Sequence, residues 1–188
     1  MKAPFICLLV GPSGSGKTTI ANILCNRNGW SQVASYTTRP PRHAFEEGHT
    51  FITEDDFKQL TDIVAYTYYN DHHYCATAQQ IDNCEVYVVD IPGVETLVNT
   101  YKGKKNFIVF IPWIDEDSRR MRMFQRGDSL DKINERTEVD REAFAESWRL
   151  GELVGEENVH LLEFDTSEEN AKDAEEFLRL KGYTWEII

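Results

Sequence analysis

The sequence predicts an α/β protein in three layers: a central parallel sheet with helices on both faces, an αβα sandwich, carrying a small inserted subdomain and a second projecting segment. Three observations predict it. Short runs rich in β-branched and aromatic residues alternate with stretches long and periodic enough to be helices. The runs are apolar on both faces, as strands covered on both sides must be. A glycine-rich stretch joins the first run directly to the first helix.

Phe5–Val10 reads as the first strand. The start MKAPFICLLVGPSGSG resembles a secretion signal, but its apolar run is short and feeds straight into a loop, which favours a buried strand. Gly16–Arg27 reads as a helix. The segment 35–83 then breaks the rhythm: it is polar, rich in Tyr, Thr and His, with strand-like pieces at Thr50–Thr53 and Ile63–Tyr68. Glu85–Asp90 (EVYVVD) and Asn106–Ile111 (NFIVFI) resume the apolar pattern. Asp115–Gln125 is helical, and a longer helix covers Leu130–Leu150, with RGDSLDKINER at 126–136 interrupting the two. Val159–Phe164 is the last strand. Ser167–Leu180 is the last helix, with Ser167 as its cap before an acidic first turn. The expected organisation is one domain over 1–188, with a core of 1–34, 84–125 and 137–188, an insert at 35–83 and a second projecting segment at 126–136, which the family resemblance given below makes a lid.

The chain has 188 residues, 41% hydrophobic and 28% charged, enough to bury one full core. No apolar stretch is long enough to span a membrane, so no membrane partner is expected. A formal net charge of −12 argues against a nucleic-acid partner, which calls for a basic stripe. Cys7, Cys25, Cys75 and Cys84 form no CxxC pair, consistent with free thiols and a cytoplasmic location. Oligomeric state is not legible.

GPSGSGKT, Gly11 to Thr18, fits GxxxxGK[ST] between a strand and a helix, the pattern of a P-loop NTPase. Glycines at Gly11, Gly14 and Gly16 let backbone N–H groups curl around phosphate oxygens, and the helix points its positive end at the same anion. Ser13, Ser15 and Thr19 complete the loop. Lys17 supplies a point charge at the β/γ-phosphates, and Thr18 a hydroxyl for Mg²⁺. ATP and Mg²⁺ are the expected cofactors. Asp90, closing VYVVD, has two readings: a carboxylate for the magnesium water shell or the acceptor, and the N-cap of the next helix.

SYTTRPPR, Ser35 to Arg42, places two arginines three apart behind a row of hydroxyls. Arginine forks match phosphate oxygens, and Pro40 and Pro41 stiffen the backbone. The segment reads either as a seat for a second phosphate or as a turn with ion pairs to Glu46 and Glu47. Arg119 and Arg120 read as a solvated basic face.

With GPSGSGKTT, SYTTRPPR, EEGHTF, ITEDDF, YVVD and VFIPWIDEDSRRMRMFQRG…INER in this order, the chain resembles the guanylate kinase family over most of its length. The resemblance implies ATP-dependent phosphoryl transfer to a nucleoside monophosphate, GMP or dGMP first. It implies that the insert binds the monophosphate through Ser35, Arg39 and Arg42, that Arg126 and Arg136 are catalytic lid arginines alongside Lys17, and that Arg122 lies beside the lid. The tyrosine that contacts the acceptor phosphate falls on His49, with Phe51 the other candidate; Tyr74 matches a second phosphate ligand. The family's base-reading glutamate and serine fall on Ala65 and Ala76, with Thr77 keeping a hydroxyl nearby, and its D-x-D-x-x-G shortens to D-I-P-G. That erosion leaves two alternatives: phosphotransfer to another monophosphate or a phosphorylated sugar, or a catalytically silent interaction module.

Overall fold

The computed structural model describes residues 3–41, 44, 46 and 48–185. In chain order its first half runs β1 Phe5–Leu9, α1 Lys17–Asn28, β2 Ser35–Thr37, β3 His49–Phe51, α2 Glu54–Phe57, β4 Ile63–Tyr69, β5 His72–Thr77 and α3 Ala78–Asn83. The second half runs β6 Val86–Val88, α4 Ile91–Thr100, β7 Asn106–Pro112, α5 Glu116–Gln125, α6 Leu130–Phe144, α7 Arg149–Val154, β8 Val159–Leu162 and α8 Ser167–Leu180.

The core sheet is wholly parallel, in the order β6-β1-β7-β8. Successive residues of β1 point to opposite faces. Phe5, Cys7 and Leu9 pack toward α1 and α8, with Ile20, Leu24, Ala171, Ala174 and Leu178. Ile6, Leu8 and Val10 pack on the other face, with Val94, Leu97 and Leu150. Both faces of β1 are therefore buried, which is why its sequence shows no polar alternation. No helix of the described residues is long and apolar enough to cross a membrane.

The segment 35–83 builds a second sheet, ordered β3-β2-β5-β4, in which only β2 and β3 run parallel. Asn70 and Asp71, at φ 47° and 60°, make the two-residue turn of the β4–β5 hairpin. Left-handed φ at both positions matches the twist of the strands. This sheet is anchored on α4: the Thr100 and Thr96 hydroxyls donate to the Val64 and Tyr66 carbonyls at 2.7 and 3.3 Å. The far end of α1 is pinned as well. Asn28 donates to Glu175 at 2.8 Å and accepts from Trp185 Nε1 at 2.6 Å.

Several boundaries differ from those expected. The last strand ends at Leu162, because the Asn170 side chain takes both the N–H and the carbonyl of Phe164. Thr166, not Ser167, caps α8, accepting from the Glu169 N–H. The helix expected over Leu130–Leu150 is two helices: α6 ends at Phe144, and α7 turns Leu150 into the core. In the insert, the strand expected at Thr50–Thr53 is β3, His49–Phe51, and Thr53 instead caps α2 with a capping box. Strands β2 and β5 were hidden in polar sequence.

Candidate active site

The phosphate loop is shaped by its glycines at two points. Gly14 has φ +79°, and a Cβ there would lie 2.7 Å from the Arg119 carbonyl oxygen. Gly16, at φ 93°, occupies the N-cap of α1, which has no side-chain cap and no acidic residue in its first turn. The other helices of ten residues or more, α4, α5, α6 and α8, are capped by the side chains of Asp90, Asp115, Ser129 and Thr166. The start of α1 is thus left to an incoming anion. Ser15 Oγ is buried with no partner among the described residues. Thr18 and Thr19 are exposed, and Ser13 is half-buried.

Lys17 Nζ donates to the carbonyls of Gly11 and Pro12, at 2.7 and 2.8 Å. Burial, reinforced by Arg126, Arg119 and Arg136 and opposed by Asp140, pulls its pKa down to about 8. The ammonium is short of counter-charge, which a polyphosphate would supply. The Ser13 N–H donates to Asp140 Oδ2 at 2.8 Å, a contact across 127 residues of chain. Arg119 Nη1 lies 3.4 Å from the Ser13 carbonyl and 3.5 Å from Asp140. Arg119 is therefore not on a solvated face: it is buried beneath the loop. Arg120 bonds Asn134 and Thr137 and ties α5 to α6.

In the segment 126–136, Arg126 and Arg136 meet one carboxylate. Arg126 Nε donates to Asp128 Oδ2 at 2.7 Å, and Arg136 Nη1 lies 3.8 Å from the same oxygen. Arg122 and Ser167 flank Gly16: a Cβ on that glycine would lie 3.5 and 3.3 Å from them.

The insert presents a polar wall. Ser35 pairs with His49, and Thr37 pairs with both Phe51 and Tyr74, so these side chains share one face. Ser35 Oγ and His49 Nδ1 are 2.9 Å apart. The His49 and Tyr74 rings are 5.9 Å apart. Arg39 lies over the Phe51 ring at 5.4 Å and grips Glu46 with both Nη atoms. Arg42 lies outside the described residues. Thr77 is occupied at the N-cap of α3, accepting from the Gln80 N–H.

Asp90 has the capping role: it accepts from the Gly93 N–H at 2.9 Å. It also accepts from Thr67 Oγ1 at 2.6 Å and feels the charge of Lys17, so it links the insert to the phosphate loop. Loss of surrounding water raises its pKa, against those bonds and Lys17. Ala65 and Ala76 pair across β4 and β5, and both are fully buried in the core, without a polar group to offer a base.

Sequence reasoning passed over Asp140, Asp128 and the structural place of Arg119. No local pattern marks them; each acquires its role through contacts between α5, α6 and the loop. Glu46 was visible only as one of two acidic neighbours of Arg39.

A family model described as guanylate kinase matches residues 4–160. The guanylate kinase of Ehrlichia ruminantium is 26% identical over 179 residues, covering 81% of this chain and 78% of that protein. That of Neisseria gonorrhoeae is 25% identical over 173 residues, covering 85% and 83%. A crystal structure of guanylate kinase from Anaplasma phagocytophilum superposes with a TM-score of 0.58 at 16% identity, over 96% of this chain and 87% of that one.

Proposed function

The chain belongs to the guanylate kinase family, and from that premise we propose that it transfers the terminal phosphoryl group of ATP to a nucleoside monophosphate, GMP or dGMP, giving ADP and the nucleoside diphosphate. An oxygen of the acceptor phosphate attacks the terminal phosphorus, and the bond to the ADP oxygen breaks. Little covalent work falls to the protein; positioning and neutralisation of charge carry the reaction. The match to kinases over most of the chain favours this reading over a phosphorylated-sugar acceptor or a silent module.

The observation that carries the reading is the start of α1, uncapped by any side chain beside a Lys17 short of counter-charge. Backbone N–H groups of Gly11–Thr19 receive the polyphosphate, and Lys17 neutralises its β/γ end. Ser35, Arg39, His49 and Tyr74, with Arg42, hold the acceptor phosphate. Arg126 and Arg136 close from the lid, supply charge to the transferred group and exclude water. The exposed Thr18 hydroxyl and the Asp90 carboxylate, the latter within range of Lys17, are the oxygen groups that would hold Mg²⁺, a cation that prefers oxygen donors. Held there, the ion would supply positive charge against the phosphates. The substrates are small molecules, and the site of action is the cytoplasm.

The test is a coupled ADP-release assay across nucleoside monophosphates and ribose phosphates. Turnover of ATP that depends on GMP or dGMP supports the reading. ATP turnover that no phosphorylated acceptor stimulates overturns it.

A further inference from the structure

The phosphate loop of this chain already holds an anion of its own. Asp140 reaches back from α6 and accepts the Ser13 N–H at 2.8 Å, with its side chain only 16% exposed. Arg119 braces the contact from beneath, within 3.5 Å of the same carboxylate oxygen. The position of that oxygen can be assigned. Lys17 Nζ sits on the Gly11 and Pro12 carbonyls, next to Ser13. A phosphate-loop lysine serves the β/γ end of the nucleotide, so the Ser13 N–H lies at that end as well.

We propose that Asp140 is an intramolecular stand-in for the terminal phosphate of the donor: its carboxylate occupies the γ end of the loop until a nucleoside triphosphate displaces it. The inference rests on the kinase reading of the site. Carboxylate and phosphate are acceptors of the same kind and compete for the same N–H donors and cations. Two anions in one place repel, so the incoming phosphate and Asp140 exclude each other. The arrangement recurs across the cleft. Asp128 holds Arg126 and Arg136, and Glu46 holds Arg39, so each of these phosphate-directed groups is held by an internal carboxylate. Asp140 stands four residues beyond Arg136 on α6. That spacing puts the two on one helix face, so expelling Asp140 displaces the helix that carries the lid arginine. A diphosphate stops short of the γ position and leaves Asp140 in place. The residue therefore opposes ATP and not ADP, and makes the lid answer to the terminal phosphate.

The experiment is equilibrium titration of the full chain with ATP and with ADP, for the wild type, Asp140→Ala and Asp140→Asn. Removing the competitor is expected to tighten ATP binding by about tenfold or more, the worth of a charge-assisted hydrogen bond. ADP binding is expected to stay within about twofold. Asp140→Asn keeps an acceptor for Ser13 but loses the charge, and is expected to fall between; it carries the test if the alanine variant does not fold. The Ser13 amide proton is expected at low field in the nucleotide-free wild type, and should move upfield in Asp140→Ala before any nucleotide is added. ATP binding that is unchanged or weakened in both variants overturns the proposal, and so does an equal gain for ATP and ADP. A wild type that binds neither nucleotide overturns the kinase reading along with it; a wild type that binds both, without a preferential gain in the variants, overturns the stand-in alone.

Discussion

Arg39 and Glu46 face each other fork to fork in the wall of the insert, at 2.7 and 3.1 Å, with about a tenth of either side chain exposed. The pair keeps the guanidinium aligned and charged at the place where an acceptor phosphate is expected.

Arg39→Lys tests that place. Lysine keeps the charge but loses the planar fork. The acceptor KM is expected to rise by about tenfold or more and kcat to fall, while the KM for ATP stays within about twofold. Steady-state kinetics with each substrate varied in turn decides it; an effect confined to ATP would take Arg39 out of the acceptor site.

Lys17 predicts a proton-linked affinity. Its free-state pKa of about 8 means the ammonium is lost as pH rises through 8, while a bound polyphosphate favours the charged form. Binding then takes up about three-quarters of a proton at pH 8.5 and about a tenth at pH 7. Affinity for ATP falls as pH climbs from 7 to 9. Calorimetry in buffers of different ionisation enthalpy measures the uptake, and none at pH 8.5 contradicts the assignment.

Asp90 separates capping from chemistry. Asp90→Asn can still cap α4 and accept from Thr67, so stability should change by less than about 0.5 kcal/mol. Removing the charge that Lys17 feels should lower kcat by about tenfold or more. Asp90→Ala should in addition lose about 1 kcal/mol of stability as the cap goes. Urea unfolding beside kcat resolves the two; full activity in the asparagine variant would leave Asp90 a cap only.

Ala65 and Ala76 predict weak base selection. A pocket matched to a base by buried hydrogen bonds discriminates by about 10⁴ or more, whereas an apolar one manages about 10². With two fully buried alanines at the positions the resemblance assigns to base reading, kcat/KM for GMP should exceed that for AMP by about a hundredfold or less. A ratio near 10⁴ would mean that another polar group reads the base.

The phosphate loop was legible because its mechanics are local: glycines, lysine and threonine in one contiguous stretch between a strand and a helix. The apolar strands were legible for the same reason, since β1 needs nothing beyond its own composition to demand cover on both faces. Strands β2 and β5 were not, because their side chains serve a cleft and carry Ser, Thr, Tyr and His where a core strand would carry valine. Arg119 looked like any surface arginine. Its burial depends on Gly14, 105 positions earlier, letting the loop settle on the backbone of α5. Asp140 had no local sign, because the N–H it serves is 127 residues away.

The pinning of Asn28 to Glu175 and Trp185 has a mechanical consequence. With its far end locked into α8 and the C-terminal tryptophan, α1 cannot slide or tilt when charge arrives at its near end. The loop and its helix act as a stator, and whatever motion accompanies turnover is delivered to the parts hung around it, the sheet riding on α4 and the helix α6.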